Sequence, residues 1–150
     1  MDSELVLRLI DRDWGGFVSA CERLGLGVPN RDLTRIDLVT TAPGTKERFR
    51  SVLLCDDYDA QAPILDFADV ETGSMRGREQ WPQMADAPLN SVSVDGTYLP
   101  ILCWPGTRGY HIHQSHTGET YPRSVWCLTA VATVLWRLFN KCGSLQGRGV

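Results

Sequence analysis

The histidines of this chain are concentrated in one short segment that follows a cysteine. The chain contains three histidines, and together with Cys103 they form the pattern Cys-x7-His-x-His-x2-His. Imidazole nitrogen and thiolate sulfur are the ligands that zinc prefers in proteins. In an extended backbone, His111 and His113 lie on the same face because side chains alternate. The predicted zinc ligands are Cys103, His111, His113 and His116. A loop whose histidines only hydrogen-bond to the backbone is the open alternative.

The number of protein ligands decides what such a metal would do. Four protein ligands close the site and make it structural, whereas three leave a position for a water molecule. In the second case Glu119, which follows the histidines, is the candidate general base that activates this water. The other interpretation of Glu119 is a solvated acid, in the loop or near the N-terminus of the following helix.

Cys103 also has a possible covalent chemistry of its own. A cysteine is nucleophilic as the thiolate, and positive neighbours favour that form. Arg108 and the nearby histidines are candidates for such neighbours, so acyl transfer through Cys103 is chemically open. Three interpretations of Cys103 therefore stand side by side: metal ligand, catalytic nucleophile and inert thiol.

Composition narrows the class of protein. The chain has 150 residues, of which 43% are hydrophobic and 22% charged, as in an ordinary globular domain. Its net charge of −3 excludes a strongly basic nucleic-acid binder. No apolar run is long enough to span a membrane, and charged residues interrupt the amino-terminal apolar stretch, so no signal peptide is expected. Five cysteines without a CxxC pair do not predict a disulfide framework. We expect a cytoplasmic protein with neither nucleic acid nor membrane as a partner.

The amino-terminal region predicts a helix followed by a hairpin. The helix covers residues 3–24, with Ser3 as its cap and with Gly25 and Gly27 as the stop signal. Its predicted apolar stripe consists of Leu5, Leu9, Val18 and Cys21. Strands are predicted over residues 36–40 and 49–55, joined by a turn, and a third strand over residues 64–67.

The second half of the chain predicts one more hairpin and one more helix. Residues 71–90 are polar and predict a long loop. Short strands over residues 92–94 and 98–103 flank Asp95-Gly96, a tight-turn dipeptide. Residues 104–120 lack periodicity and predict an irregular loop.

The last predicted helix covers residues 122–141, with Thr120 as its cap and Pro122 in its first turn. One predicted face consists of Val125, Leu128, Val131, Leu135 and Leu138. Because apolar residues occupy most of its sides, it is either a central core helix or a helix with one side on a partner. Strands grouped after an opening helix predict an α+β fold with an antiparallel sheet. We assign residues 1–142 to one domain and residues 143–150 to a flexible tail.

Residues 49–67 resemble the central meander of ubiquitin-conjugating enzymes. In that family a strand runs into a turn with a tyrosine and prolines, and an aromatic residue follows on the next strand. Tyr58, Pro63 and Phe67 correspond to this pattern, while Asp59 stands where the family has a proline. The resemblance implies a ubiquitin-conjugating-enzyme-like fold, with an N-terminal helix, an antiparallel meander and a C-terminal core helix.

Residues 102–119 resemble a metal-binding family named for its Cys, Glu, His and His residues, which is associated with bacterial ubiquitin-like modification operons. The resemblance implies that Cys103 and two of the three histidines bind metal. It also implies a role in phage defence, with a ubiquitin-like protein and its activating and conjugating enzymes as partners. Conjugating enzymes place an Asn-containing turn before their cysteine, whereas Tyr98-Leu99-Pro100 precedes Cys103.

The resemblances therefore predict an accessory component of such a system that does not carry out ordinary thioester transfer. Two alternatives remain open. The first is an active conjugating enzyme that uses Cys103. The second is a small zinc-dependent hydrolase in which Glu119 is the base.

Overall fold

The computed structural model describes residues 2–58, 60–75, 82–84, 89–94, 97–102, 108, 127–140 and 145–148. In chain order the elements are α1 (Ser3–Arg23), β1 (Asn30–Asp32), β2 (Arg35–Thr41), β3 (Arg48–Leu54), β4 (Ile64–Ala68), β5 (Pro82–Met84), β6 (Leu89–Val94), β7 (Thr97–Leu102), α2 (Leu128–Asn140) and β8 (Leu145–Arg148). The fold is α+β, as the sequence predicts.

Helix α1 is defined by strong local signals at both ends. Its N-terminal cap is Asp2 and not the predicted Ser3. Oδ1 of Asp2 accepts hydrogen bonds from the backbone amides of Glu4 and Leu5. At the other end Gly25 has φ +68°, and the Leu26 amide donates to the Cys21 carbonyl, which together form a Schellman motif. The predicted stop at Gly25 is therefore confirmed.

The buried stripe of α1 differs from the predicted one. Its buried residues are Val6, Ile10, Phe17, Ala20 and Cys21. Leu5, which was predicted to be buried, is 47% exposed. The helix continues through Gly15 and Gly16, and a Cβ at Gly16 would lie 3.4 Å from the Thr129 hydroxyl of α2. Gly16 thus allows the two helices to approach closely.

The main sheet is an antiparallel meander in the order β1-β2-β3-β4. The predicted hairpin is confirmed as β2 and β3, with Ile36 opposite Leu53 and Thr40 opposite Phe49. The predicted third strand is confirmed as β4, which pairs with β3. Strand β1 was not predicted, because Pro29 and Asn30 suggested a continuing loop.

The core lies between one face of this sheet and the two helices. Phe49 of β3 and Phe67 of β4 meet Phe139 of α2, with ring centroids 5.8 and 6.5 Å from it. The buried cluster also includes Ile36 and Leu38 of β2. Burying aromatic and branched side chains in this way is the main favourable contribution to folding.

Helix α2 begins later than predicted. Cys127 precedes it as a bend residue, and the Cys127 carbonyl accepts the first intrahelical hydrogen bond, from Val131. Since Cys127 is not helical, an unbroken helix over residues 122–141 is wrong, while the predicted cap Thr120 and residues 122–126 lie outside the described residues. The apolar face is confirmed for Leu128, Val131, Leu135 and Leu138, all of which are buried.

Two small antiparallel sheets complete the described structure. Strands β6 and β7 pair about the predicted turn, with Val94 opposite Thr97. Strand β5 pairs with β8. The stretch 71–90, predicted as one loop, thus contains β5 and the start of β6, and residues 145–148, assigned to a flexible tail, form β8. Within the described residues, no helix combines the length and the apolar character needed to cross a membrane.

Candidate functional site

The face of the main sheet that points away from the helices carries a cluster of charged side chains. Along β2, Arg35 and Asp37 alternate with the buried Ile36 and Leu38. In an antiparallel sheet with one face on the core, this alternation leaves the polar residues on the open face. Arg50 of β3 belongs to the same face, because its strand partner is Val39. The outer face of the sheet therefore carries two arginines around one aspartate.

Asp37 holds both guanidinium groups. Its Oδ1 accepts a hydrogen bond from Arg35 Nε at 2.7 Å, and its Oδ2 accepts one from Arg35 Nη2 at 3.0 Å. Oδ2 also accepts a hydrogen bond from Arg50 Nε at 2.5 Å. The Arg35–Asp37 contact is a bidentate fork, which is the strongest arrangement of this kind of ion pair.

The ion pairs fix the charge of the aspartate. Partial burial would by itself raise the pKa of Asp37, but the hydrogen bonds and positive charges of Arg35 and Arg50 outweigh it and hold the pKa below its ordinary value of 3.8. The hydrogen bond to Asp37 raises the pKa of Arg35. At neutral pH Asp37 is therefore ionised, and it keeps both guanidinium groups in place on the outer face of the sheet.

The loop that follows β4 folds back over the arginines. Asp69 organises it, because Oδ1 of Asp69 accepts hydrogen bonds from the amides of Glu71 and Thr72. The loop then presents main-chain carbonyls to the cluster: Gly73 accepts from Arg35 Nη2 at 2.8 Å, and Val70 accepts from Arg50 Nη1 at 3.3 Å.

Gly73 is required by both conformation and space. Its φ of +73° lies in the left-handed region, and a Cβ there would lie 2.8 Å from Arg50 Nη2. The guanidinium of Arg50 therefore lies directly against the Gly73 backbone.

Between the sheet and this loop lies a polar cleft of about 330 Å³. Its lining residues are Asn30, Asp32, Arg35, Asp37, Arg50, Thr72 and Gly73. None of these seven is a histidine or a cysteine, so the lining offers hydrogen-bond donors, acceptors and fixed charges. Such a cleft can bind a small polar group.

A second polar junction lies inside the fold and connects the helices. The Tyr58 side chain is fully buried. Its hydroxyl donates to Asp13 Oδ2 of α1 at 2.7 Å and accepts from the Leu128 amide of α2 at 2.9 Å. The hydroxyl thus satisfies one of the free amides at the start of α2, which explains why the helix can begin at Leu128. Tyr58 is a structural link between α1, α2 and the connection after β3.

Arg108 is the one described residue between Cys103 and the histidines. Its amide donates to the Pro63 carbonyl and its Nε to the Ala62 carbonyl, both at 2.9 Å. Its Nη1 lies 3.7 Å from Asp57 Oδ2. Arg108 is therefore anchored on the connection between β3 and β4. These contacts use Nε and Nη1, whereas Nη2 of Arg108 is buried without a hydrogen-bond partner among the described residues.

The predicted metal ligands and catalytic candidates lie outside the described residues. These are Cys103, His111, His113, His116 and Glu119. Their grouping, the zinc site and the Cys103 nucleophile remain predictions. Among the residues that the structure does describe, no group of three or more His, Cys, Asp or Glu side chains could hold a metal ion.

Two of the described cysteines are unreactive buried thiols. Cys21 and Cys55 are fully buried, and burial raises the pKa of each thiol to about 12. The charge of Asp56 adds to the effect at Cys55. At neutral pH both are therefore protonated and act as small hydrophobic residues.

No motif in the sequence marks Arg35, Asp37 or Arg50 as a candidate site residue. A signal was present, because charged residues alternate with apolar ones along β2 and occur at Arg48 and Arg50 in β3. Such a pattern marks the solvent face of a strand, but it does not show which charges meet. Gly73 and Val70, whose carbonyls accept from the arginines, lie 38 and 20 residues from their partners in sequence, and only the folded chain brings them to the cluster.

No protein-family model matches this chain, and a comparison with curated proteins gives no significant match.

Proposed function

We propose that this protein is an accessory, protein-binding component of a ubiquitin-like protein modification system, with a fold of the ubiquitin-conjugating-enzyme type. The observation that carries the binding role is the charged cluster on the outer face of the main sheet. There the ion-paired arginines and the loop after β4 line a polar cleft of fixed charges and hydrogen-bonding groups. A surface of fixed charges and hydrogen-bonding groups is suited to the recognition of a partner.

The order of the elements supports the fold assignment. An N-terminal helix precedes four antiparallel strands in sequential order, and a later helix packs with α1 on one face of the sheet. Two of the residues on which the resemblance depends are structural in this fold. Tyr58 connects the two helices, and Phe67 packs against Phe139.

The role as an accessory rests on the resemblance together with these features. The segment around Cys103 lacks the Asn-containing turn of conjugating enzymes. Transfer by Cys103 and hydrolysis by a zinc-bound water that uses Glu119 are the competing hypotheses. Both depend on residues outside the described part of the chain.

Co-purification tests the proposal. The tagged full-length chain is co-expressed with each protein encoded beside it, including any ubiquitin-like protein and its activating and conjugating enzymes. We expect a stable complex with at least one of them, which Cys103→Ala leaves intact. Association with none of these proteins would refute the accessory role.

A second measurement separates the competing enzymes from the accessory. If the chain accepts the ubiquitin-like protein on Cys103, a reducible adduct forms with the activating enzyme and is lost in Cys103→Ala. Elemental analysis of untagged protein tests the predicted zinc. About one zinc per chain, lost in both Cys103→Ser and His113→Ala, would make Cys103 a metal ligand and not a nucleophile.

A further inference from the structure

Both arginines of the cleft retain a free donor group. Arg35 uses Nε and Nη2 for Asp37 and Gly73, and Arg50 uses Nε and Nη1 for Asp37 and Val70. Within the described residues, Nη1 of Arg35 and Nη2 of Arg50 have no protein acceptor. Both side chains line the same cleft. The cleft thus offers two amino groups of charged guanidinia whose other donors are already occupied.

The bound neighbours preorganise these donors. A free arginine loses rotamer entropy when it binds a ligand. Here Asp37 and the main-chain carbonyls of the loop already fix both guanidinium groups. Most of the rotamer entropy of the two arginines is therefore lost when the protein folds and not when a ligand binds. Preorganised donors bind more tightly than mobile ones with the same contacts.

The charges of the cleft indicate which anion fits. Its lining contains two arginines and two aspartates, Asp32 and Asp37, so the formal charges cancel. A doubly charged phosphate would meet both carboxylates without a surplus of positive charge. A carboxylate carries a single charge, and each of its two oxygens can accept a hydrogen bond from one of the two free Nη groups. The cleft volume lies near the lower end of the range for small-molecule sites, which suits one or two residues of a peptide.

We propose that this cleft binds a carboxylate group of a partner protein, which accepts hydrogen bonds from Arg35 Nη1 and Arg50 Nη2. The inference rests on the proposed function only in making the ligand part of a partner protein. The carboxylate comes either from a chain terminus or from an acidic side chain. These two sources share one chemistry, and the experiment distinguishes them.

The test is a titration of the isotope-labelled full-length chain followed by NMR, with the arginine Nε–H signals as reporters. N-acetyl-alanine supplies a terminal carboxylate, N-acetyl-glutamate α-amide supplies a side-chain carboxylate, and N-acetyl-alanine amide is the uncharged control. We expect saturable shifts of the Arg35 and Arg50 signals with at least one carboxylate and none with the amide. The compound that binds more tightly shows whether the carboxylate comes from a chain terminus or from an acidic side chain. Tighter binding of inorganic phosphate, or equal shifts with the uncharged amide, would overturn the proposal.

Variants connect the binding to the two arginines. Arg35→Gln and Arg50→Gln should each weaken carboxylate binding by about tenfold or more, because a charged hydrogen bond is lost. Arg48→Gln is the matched control on the same strand and should change the affinity by less than about twofold. Arg50→Lys keeps the charge without the fork, and it tests the same point if Arg50→Gln does not fold. Unchanged binding in a folded Arg50 variant would overturn the site.

Failure of this inference and failure of the proposed function are distinguishable. Partner co-purification that persists in Arg50→Lys, with no carboxylate binding by the wild type, overturns the carboxylate site alone. Carboxylate binding without any partner among the neighbouring proteins overturns the proposed function alone.

Discussion

The two faces of the four-stranded sheet come from the same strands and have opposite chemistry. On the inner face, Phe49 and Phe67 are fully buried against Phe139. On the outer face, Arg35 and Arg50 surround Asp37 under a loop. The inner face is stabilised by apolar packing, which depends on the shapes of the side chains. The outer face is stabilised by directed hydrogen bonds between charged groups. The inner face thus makes the fold stable, whereas the outer face can exchange contacts with a ligand.

The largest expected effect is on the inner face. Phe139→Ala should lower the free energy of unfolding by about 4 kcal/mol, because it removes buried area and leaves a cavity between two aromatic rings. Urea denaturation measures this loss. Val28→Ala is the control, since Val28 is 86% exposed and its change should stay within about 0.5 kcal/mol. A loss below about 1 kcal/mol for Phe139→Ala would contradict the described packing.

The segment that leads from α1 into the sheet should be nearly as sensitive. Gly27 has φ +105°, and a Cβ there would lie 2.5 Å from the Val39 carbonyl oxygen of β2. Gly27→Ala should therefore cost about 3 kcal/mol through backbone strain and displacement of the strand. The matched control is Gly15→Ala, in the open interior of α1, which should stabilise the protein by about 0.5–1 kcal/mol. Equal thermal stability of the two variants would show that the Gly27 backbone is not held against β2.

The buried polar junction should give an intermediate effect. Tyr58→Phe keeps the ring and removes the hydroxyl, which leaves the Leu128 amide and Asp13 without this partner. We expect a loss of about 2 kcal/mol, the cost of unsatisfied buried polar groups. Hydrogen exchange gives a local readout, because the Leu128 amide should exchange faster in the variant. Unchanged exchange at Leu128 would exclude the proposed link between Tyr58 and α2.

The smallest of these effects should come from the outer face and should depend on pH. Asp37→Asn should cost about 1–2 kcal/mol at pH 7, because the ion pairs with both arginines are weakened. The folded pKa of Asp37 is lowered, so its contribution is fully present above its ordinary value of 3.8 and is lost as the pH falls through the folded pKa. The stability difference between wild type and variant should therefore shrink below about pH 4.

Glu71→Gln is the control for this pH dependence, since Glu71 forms an exposed pair with Arg48. Its effect should stay within about 0.5 kcal/mol at pH 7. A gap between wild type and Asp37→Asn that widens in acid would contradict the lowered pKa of Asp37.

Local signals made several elements predictable. Gly25 ends α1 because its backbone adopts the left-handed conformation that glycine tolerates best, and the strands predicted on either side of Asp95-Gly96 are present as β6 and β7. The buried face of α2 followed from its 3.6-residue spacing. The start of α2 could not be predicted in the same way, because Tyr58, 70 residues away in sequence, supplies the acceptor for its first amide.

The sequence by itself determined the α+β class, the central hairpin, the third strand and the buried face of the last helix, because periodicity and turn chemistry act over a few residues. It also concentrated Cys103 and the histidines in one segment, whose chemistry is still a prediction. Only the tertiary structure decided that Arg35 and Arg50 share Asp37 and that Gly73 covers them. Ion pairs of this kind depend on strand register and on a loop folding back across the sheet, and no spacing within a single strand encodes either.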